Sequence, residues 1–160
     1  MEIAESYKSL RDQVFSLADG KIKSIAPTKD EIYAVLMETA YPEATFSLVA
    51  VSDGSASLYF SNGGGIVGAG QHQSVRKHAL SFLDSAFENL KYTEKTRETL
   101  LAKVHHTIFY LITESGIYLA DELESDLGNN KHKLSSLFHH GHSLITAIRE
   151  IDEMPSAPGE

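Results

Sequence analysis

The sequence predicts an α+β protein built around a mainly antiparallel sheet. Two stretches around tight-turn signals are typical of β-hairpins: one alternates with a period of two, and the other is rich in β-branched and aromatic residues. Other stretches repeat apolar residues every three or four positions, which is the pattern of helices with one buried face. Hairpins pair antiparallel, and amphipathic helices need an apolar sheet face to cover. We therefore expect helices packed on one face of the sheet or on both.

The size and composition are typical of one globular domain. The chain has 160 residues, of which 42% are hydrophobic and 22% are charged. We assign residues 1–152 to a single α+β domain. Residues 153–160 contain Pro, Ser, Ala and Gly without an apolar pattern, and we expect a disordered C-terminal tail there.

Charge and cysteine content exclude several functions. A net charge of -8, with no cluster of Lys and Arg, would repel a phosphate backbone, so nucleic acid is not an expected partner. No apolar run is long enough to cross a bilayer, and the chain starts with acidic residues where a secretory signal would be basic. We expect a cytoplasmic protein without a membrane partner. The absence of Cys excludes disulfides and thiolate metal sites.

The first two predicted helices lie before the sheet. Ile3–Leu17 carries apolar residues at alternating spacings of four and three, which is a helical stripe. This stripe fits either a helix packed on its own domain or a helix donated to a partner subunit. A second helix is predicted over Thr28–Ala40, where Thr28 and Glu31 form a capping box and Pro42 follows the end.

Two hairpins and two further helices complete the pattern. The first hairpin runs from Thr45 to Phe60 and turns at Asp53-Gly54. The second runs from Val104 to Ala120 and turns at Ser115-Gly116. Helices are predicted over 75–90 and 134–148, and the polar stretch 93–103 is ambiguous, with a short capped helix as one interpretation.

The predicted order is α-α-ββ-α-ββ-α, with four to five strands built from two hairpins and four or five helices. This order resembles that of the roadblock, longin and profilin-like group of small α+β modules. The resemblance rests on element order alone. It implies a binding role and assigns no residue.

A glycine-rich segment, Gly63–Gly70, is the most unusual local feature. It holds five of the eleven glycines of the chain: Gly63, Gly64, Gly65, Gly68 and Gly70. Such a cluster indicates special backbone dihedrals or the close approach of a ligand or partner. Three of the glycines match the dinucleotide-binding spacing. However, the preceding strand belongs to a hairpin, is not the first of the domain, and the helix pattern begins only after Gly70.

One hypothesis places a small anionic ligand, carrying a phosphate or carboxylate, at this segment. The following helix presents free amides and the positive end of its dipole, and glycines let an anion approach them. Arg76 is the expected cation. The other candidate ligand-binding residues are Asn62, Gly63, Gly64, Gly65, Gly68, Gly70, Gln71 and His72. The alternative is a tightly turned or flexible connection that binds nothing.

The histidines suggest a metal site only weakly. His139 and His142 are three positions apart on the last predicted helix, where they could share an ion if a third ligand came from elsewhere. No metal-binding spacing supports this, so we assign no metal ligands and identify no cofactor. Gly141 falls on the inward stripe of the same helix. His105 and His106 are expected to point to opposite faces of a strand.

No catalytic constellation is visible in the sequence. There is no nucleophile elbow and no informative spacing of Ser, His and acid. The sequence therefore favours a non-enzymatic protein-interaction or regulatory module that forms homo-oligomers or binds another protein. Its first helix or a sheet edge is the expected contact surface. The alternative function is binding of the small anion described above.

Overall fold

The computed structural model describes residues 4–19, 27, 32–66 and 72–152. Its helices are α1 (Glu5–Phe15), α2 (Gln73–Asn89), α3 (Glu124–Gly128) and α4 (Ser135–Asp152). Short 3₁₀ helices follow α1 (Ser16–Asp19) and α2 (Leu90–Tyr92). The strands are β1 (Ile32–Ala40), β2 (Thr45–Val51), β3 (Ala56–Phe60), β4 (Gly65–Ile66), β5 (Glu94–Thr96), β6 (His106–Thr113) and β7 (Gly116–Leu123).

The seven described strands form one antiparallel sheet in the order β4-β3-β2-β1-β6-β7-β5. The predicted α+β class and antiparallel pairing are confirmed. The strand count is higher than the predicted four to five. Two strands were missed because the edge strands β4 and β5 have only two and three residues, which is too short for an alternating pattern. A further strand, β1, was predicted as part of a helix.

The second predicted helix, Thr28–Ala40, is wrong over Ile32–Ala40, which form the central strand β1. Both faces of β1 are covered, so Leu36 on one face and Met37 on the other are fully buried. A strand buried on both faces has no polar alternation, and its continuous apolar run also fits a helical stripe. The predicted capping pair of Thr28 with Glu31 lies outside the described residues.

Both predicted hairpins are present. In the first, β2 pairs with β3 and Gly54 has a φ of 89° in the turn. In the second, β6 pairs with β7 around Ser115-Gly116. Strand β6 begins at His106 rather than Val104, because His105 has a φ of 70° and interrupts the extended backbone. His105 is therefore not a strand residue, and the expected opposition of His105 and His106 across a strand is wrong.

Residues 93–103 form strand β5 and an extended segment, not a helix. β5 pairs with β7 through Glu94, Lys95 and Thr96. The backbone then returns across the sheet, where the carbonyl oxygens of Thr99 and Leu100 accept hydrogen bonds from Arg11. Val104 forms a bridge with Ala40 before β6 begins.

Helices cover both faces of the sheet. α2 and α4 pack together on one face, above a core that includes Met37, Leu48 and Phe109. The predicted inward stripe of the last helix is confirmed, since all six of its members are buried: Leu134, Leu137, Phe138, Leu144, Ile145 and Ile148. Gly141 also faces inward, and a Cβ atom there would lie 2.7 Å from Met37 Sδ.

α1 packs on the opposite face of the sheet. Tyr7, Val14 and Leu17 are buried against a second core that contains Leu36 and Tyr110. The described part of the predicted apolar stripe is therefore used to cover the chain's own sheet. Of the two alternatives for this helix, the contacts match packing on its own domain. No helix among the described residues is long and apolar enough to cross a membrane.

Candidate functional site

The first part of the glycine-rich segment makes a turn and an edge strand. Gly63 and Gly64 have φ angles of 102° and 86°, which L-residues with side chains rarely adopt. This turn lets Gly65–Ile66 fold back as β4 beside β3. A Cβ atom at Gly65 would lie 2.4 Å from the Leu58 carbonyl oxygen, so glycine is required there for strand pairing. These three glycines thus have a structural role in the described residues.

The predicted ligand-binding residues lie in two places. Asn62 is exposed in the turn after β3, next to Gly63–Gly65. His72 precedes α2 as its N-cap, and Arg76 lies in its first turns. Arg76 Nη1 donates a hydrogen bond to the carbonyl oxygen of Asp53, in the turn before β3. Since the turn around Asp53 and the turn around Asn62 lie at opposite ends of β3, the structure separates Arg76 from the described glycines. Gly68, Gly70 and Gln71 lie outside the described residues.

A cavity of about 710 Å³ lies between α4 and the part of the sheet formed by β2, β3 and the edge strand β4. Its volume is in the range of small-molecule sites. Gly65 and Ile66 line it, so the glycine-rich segment does border a cavity. The remaining lining residues come from the β1–β2 turn, β2, β3 and α4: Tyr41, Glu43, Ala44, Thr45, Phe46, Leu58, Phe60, His142, Ile145 and Arg149.

His142 lies in the cavity wall, half-buried between two phenyl rings. Its ring centroid is 4.3 Å from that of Phe138 and 6.3 Å from that of Phe46. Its Nε2 atom is buried and has no hydrogen-bond partner among the described residues. Burial, with a smaller contribution from His139, lowers the pKa of His142. A neutral imidazole in an apolar wall can accept or donate one hydrogen bond without bringing a charge into it.

His139 and His142 do not share a common site. His139 is exposed, and its Nε2 lies 2.8 Å from Asn130 Oδ1. His142 instead faces the aromatic side chains of the cavity wall. Within the described ranges, no group of three or more His, Asp or Glu side chains is placed to hold a metal ion.

A buried polar network under α1 was not predicted from the sequence. Glu38 of β1 is fully buried and accepts hydrogen bonds from Arg11 Nε at 2.7 Å and from Ser47 Oγ at 2.6 Å. Arg11 Nη2 donates to the second carboxylate oxygen at 2.7 Å. The Tyr7 hydroxyl donates to the same carboxylate at 3.0 Å. The network therefore joins α1, β1 and β2 through one carboxylate.

The same network holds the segment 97–103. Arg11 donates to the carbonyl oxygens of Thr99 and Leu100, and the Tyr110 hydroxyl donates to Leu100 at 2.6 Å. Burial, together with the Glu38 carboxylate, raises the pKa of Tyr110 to about 12 and raises that of Tyr7 further. Burial is the largest single influence on the pKa of Arg11 and acts to lower it, but the hydrogen bonds to Glu38 and the nearby charges together outweigh burial and raise the pKa. Because its members satisfy one another beneath α1, we assign this network a structural role.

Several large apolar side chains are exposed near the end of that segment. Leu100 is 65% exposed, Leu101 36%, Val104 47% and Leu123 44%, and we call these four residues the Leu100 surface. Leu123 belongs to β7 and lies opposite His106 in the sheet, and His106 follows closely after Val104 in the sequence. Contiguous patches of exposed apolar side chains are typical of protein-interaction sites, and these four residues are the candidates for such a patch. The hydrogen bonds to Leu100 hold this backbone in place, so the side chains are presented from an ordered segment.

No family model matches the chain, and no curated protein or solved structure shows significant similarity to it.

The lowered pKa of His142 predicts a pH-dependent stability. The unfolded side chain titrates near 6.5, whereas the folded one takes up a proton only at lower pH. The unfolded state therefore binds more protons below pH 6.5, and the free energy of unfolding should fall as the pH decreases through that value. Chemical denaturation of wild type and His142→Phe between pH 5 and pH 8 would measure this, and the variant should show a smaller decrease.

His140→Phe is the matched control, because His140 lies on the exposed side of the same helix. Its pH dependence should follow that of the wild type. Equal slopes for wild type and His142→Phe would contradict the assignment of the pH effect to His142.

Proposed function

We propose that this protein is a non-enzymatic interaction module that self-associates or binds a protein through the Leu100 surface. The observation that carries the proposal is the exposure of four large apolar side chains, of which Leu100 lies on a segment held by Arg11 and Tyr110 and Leu123 lies on β7. Burial of apolar area is the main driving force of most protein association. A pre-ordered backbone also reduces the entropy lost on binding.

The edge of the sheet beside this surface supports the same function. β5 pairs only with Ile117, Tyr118 and Leu119 of β7. Within the described part of the chain, the outer edge of β7 from Ala120 to Leu123 therefore has no neighbouring strand. An open edge next to exposed apolar side chains can pair with a strand of a partner or of a second copy.

The contact surface differs from the helix-mediated version expected from the sequence. Because Tyr7, Val14 and Leu17 cover the chain's own sheet, deletion of residues 1–18 would uncover a hydrophobic core. Such a deletion could change the oligomeric state through misfolding. Substitutions on the Leu100 surface avoid this problem.

The experiment compares Leu100→Asp/Leu123→Asp with wild type by sedimentation equilibrium. We expect wild type to dimerise in a concentration-dependent manner and the double variant to associate at least about tenfold more weakly, because charged side chains replace the apolar contact. Leu80→Asp/Phe87→Asp on α2 is the matched control, since these two side chains are 37% and 43% exposed on another face. A wild type that stays monomeric would contradict self-association, and equal dimerisation of both double variants would contradict this surface.

The proposal also includes the fold arrangement, the cellular location and the absence of nucleic-acid binding. A roadblock-, longin- or profilin-like arrangement is supported by the single antiparallel sheet with long helices on both faces. A cytoplasmic location is proposed with it, and the lack of nucleic-acid binding is supported by the acidic composition without basic clusters.

A second candidate function is the binding of a small ligand near the glycine-rich segment. It is favoured by the cavity, in which Gly65 and Ile66 lie together with the cation Arg149. Arg149 was not predicted as a ligand-binding residue, because only the folded chain brings α4 beside β4. The cavity therefore offers a different cation from Arg76 for an anionic group.

A further inference from the structure

The mouth of the cavity carries two opposite charges. Arg149 of α4 and Glu43 of the β1–β2 turn both line it, and both are exposed. Neither side chain makes an ion pair or a hydrogen bond with another described residue. One cationic and one anionic group are thus available at the same opening.

The inner wall of the cavity is apolar. Phe46, Leu58 and Phe60 come from adjacent strands on the same face of the sheet, and Ile145 comes from α4. Phe60 is 37% exposed, although it is a large aromatic side chain at a strand end. A ligand with an apolar body would cover this ring and bury more of the wall.

We infer that the cavity binds a small zwitterion with an apolar body, of the class of hydrophobic α-amino acids. Arg149 pairs with the carboxylate, Glu43 pairs with the ammonium group, and the apolar side chain contacts Phe46, Phe60 and Ile145. This inference rests on the second candidate function and specifies its ligand class.

The charges at the opening favour a zwitterion over either simple ion. A carboxylate without an ammonium group would pair with Arg149 and leave Glu43 as a repulsive neighbour. An amine without a carboxylate would pair with Glu43 and leave Arg149 as a repulsive neighbour. Only a ligand with both groups pairs both charges, and a charge-assisted hydrogen bond is roughly twice as strong as a neutral one.

The experiment uses three probes with the same phenyl body. They are L-phenylalanine, 3-phenylpropionate, which lacks the ammonium group, and 2-phenylethylamine, which lacks the carboxylate. Dissociation constants come from isothermal titration calorimetry, and the NMR signals of His142 report occupation of the cavity. We expect phenylalanine to bind at least about tenfold more tightly than either of the other two probes.

Two variants test the charges one at a time. Arg149→Gln should weaken binding of phenylalanine and phenylpropionate by about tenfold, and it should strengthen binding of phenylethylamine because a repulsive charge is removed. Glu43→Gln should weaken binding of phenylalanine and phenylethylamine, and it should strengthen binding of phenylpropionate for the same reason. Arg97→Gln and Glu114→Gln are matched controls, because both residues are exposed and neither lines the cavity. The controls should bind all three probes as wild type does.

Two results would overturn the inference in distinguishable ways. If phenylpropionate bound as tightly as phenylalanine and Glu43→Gln had no effect, the zwitterion assignment would be wrong while anion binding in the cavity would stand. If wild type bound none of the three probes and the His142 signals did not move, both the ligand class and the second candidate function would fall.

Discussion

Glu38→Ala is expected to lower the free energy of unfolding by about 3–5 kcal/mol, which is the usual effect of breaking a buried ion pair. The Glu38 carboxylate is fully buried and pairs with both Nε and Nη2 of Arg11. Its removal leaves the guanidinium beneath α1 without its counter-charge, and it also takes an acceptor from Ser47 and Tyr7. Urea denaturation followed by circular dichroism would measure the loss.

Glu5→Ala supplies the matched control within α1. Glu5 forms an ion pair with Lys8 at 3.5 Å, but this pair is solvent-exposed and should contribute little. A second comparison is Arg11→Met/Glu38→Leu, which removes both charges and should be less destabilised than Glu38→Ala alone. If Glu38→Ala and Glu5→Ala unfolded at the same urea concentration, the buried pair would not make the expected contribution to the free energy of unfolding.

Gly141→Leu is expected to destabilise the protein by about 1–3 kcal/mol through overpacking. At Gly141, α4 lies close to both the sheet and α2. A Cβ atom there would lie 2.7 Å from Met37 Sδ and 3.2 Å from Phe82 Cε1. Met37 and Phe82 are both fully buried, so neither can turn into solvent to make room. Leucine favours a helix more than glycine does, which makes a loss of stability an informative result.

A double-mutant cycle with Met37→Ala tests whether the lost space is the cause. Met37→Ala alone leaves a cavity and should itself destabilise the core. The double variant Met37→Ala/Gly141→Leu should lose less free energy of unfolding than the two single variants lose together, because the leucine occupies the vacated volume. Strictly additive effects in thermal or urea unfolding would contradict this contact as the source.

The sequence predicted those elements that carry a helical periodicity or a turn signal. α2 and α4 each have one solvent-exposed side and therefore a helical periodicity, and both hairpins are marked by turn residues at Asp53-Gly54 and Ser115-Gly116. β1 lies between two helical layers and has no solvent side, so its apolar run was misread as a helix. Only the charge of Glu38 inside that run indicated that an unusual buried partner was needed.

The polar network and the cavity could not be predicted, because they join residues that are distant in sequence. Arg11 meets Glu38 across 27 positions and the carbonyl group of Leu100 across 89. Likewise, Arg149 and Glu43 reach one cavity from α4 and from the β1–β2 turn. Periodicity describes neighbours along one element, whereas these sites depend on how separate elements are arranged in space.

The position of β1 beside β6 has a consequence for how the molecule forms. The strands β1 to β4 and the strands β5 to β7 are each connected locally, and the two groups meet only along the β1–β6 pairing. Thr39 and Thr107, which hydrogen-bond across that seam, are 68 positions apart. Bringing them together costs loop-closure entropy before any contact is made. We therefore expect the pairing of β1 with β6, rather than the formation of either hairpin, to be the slow step that sets the folding rate.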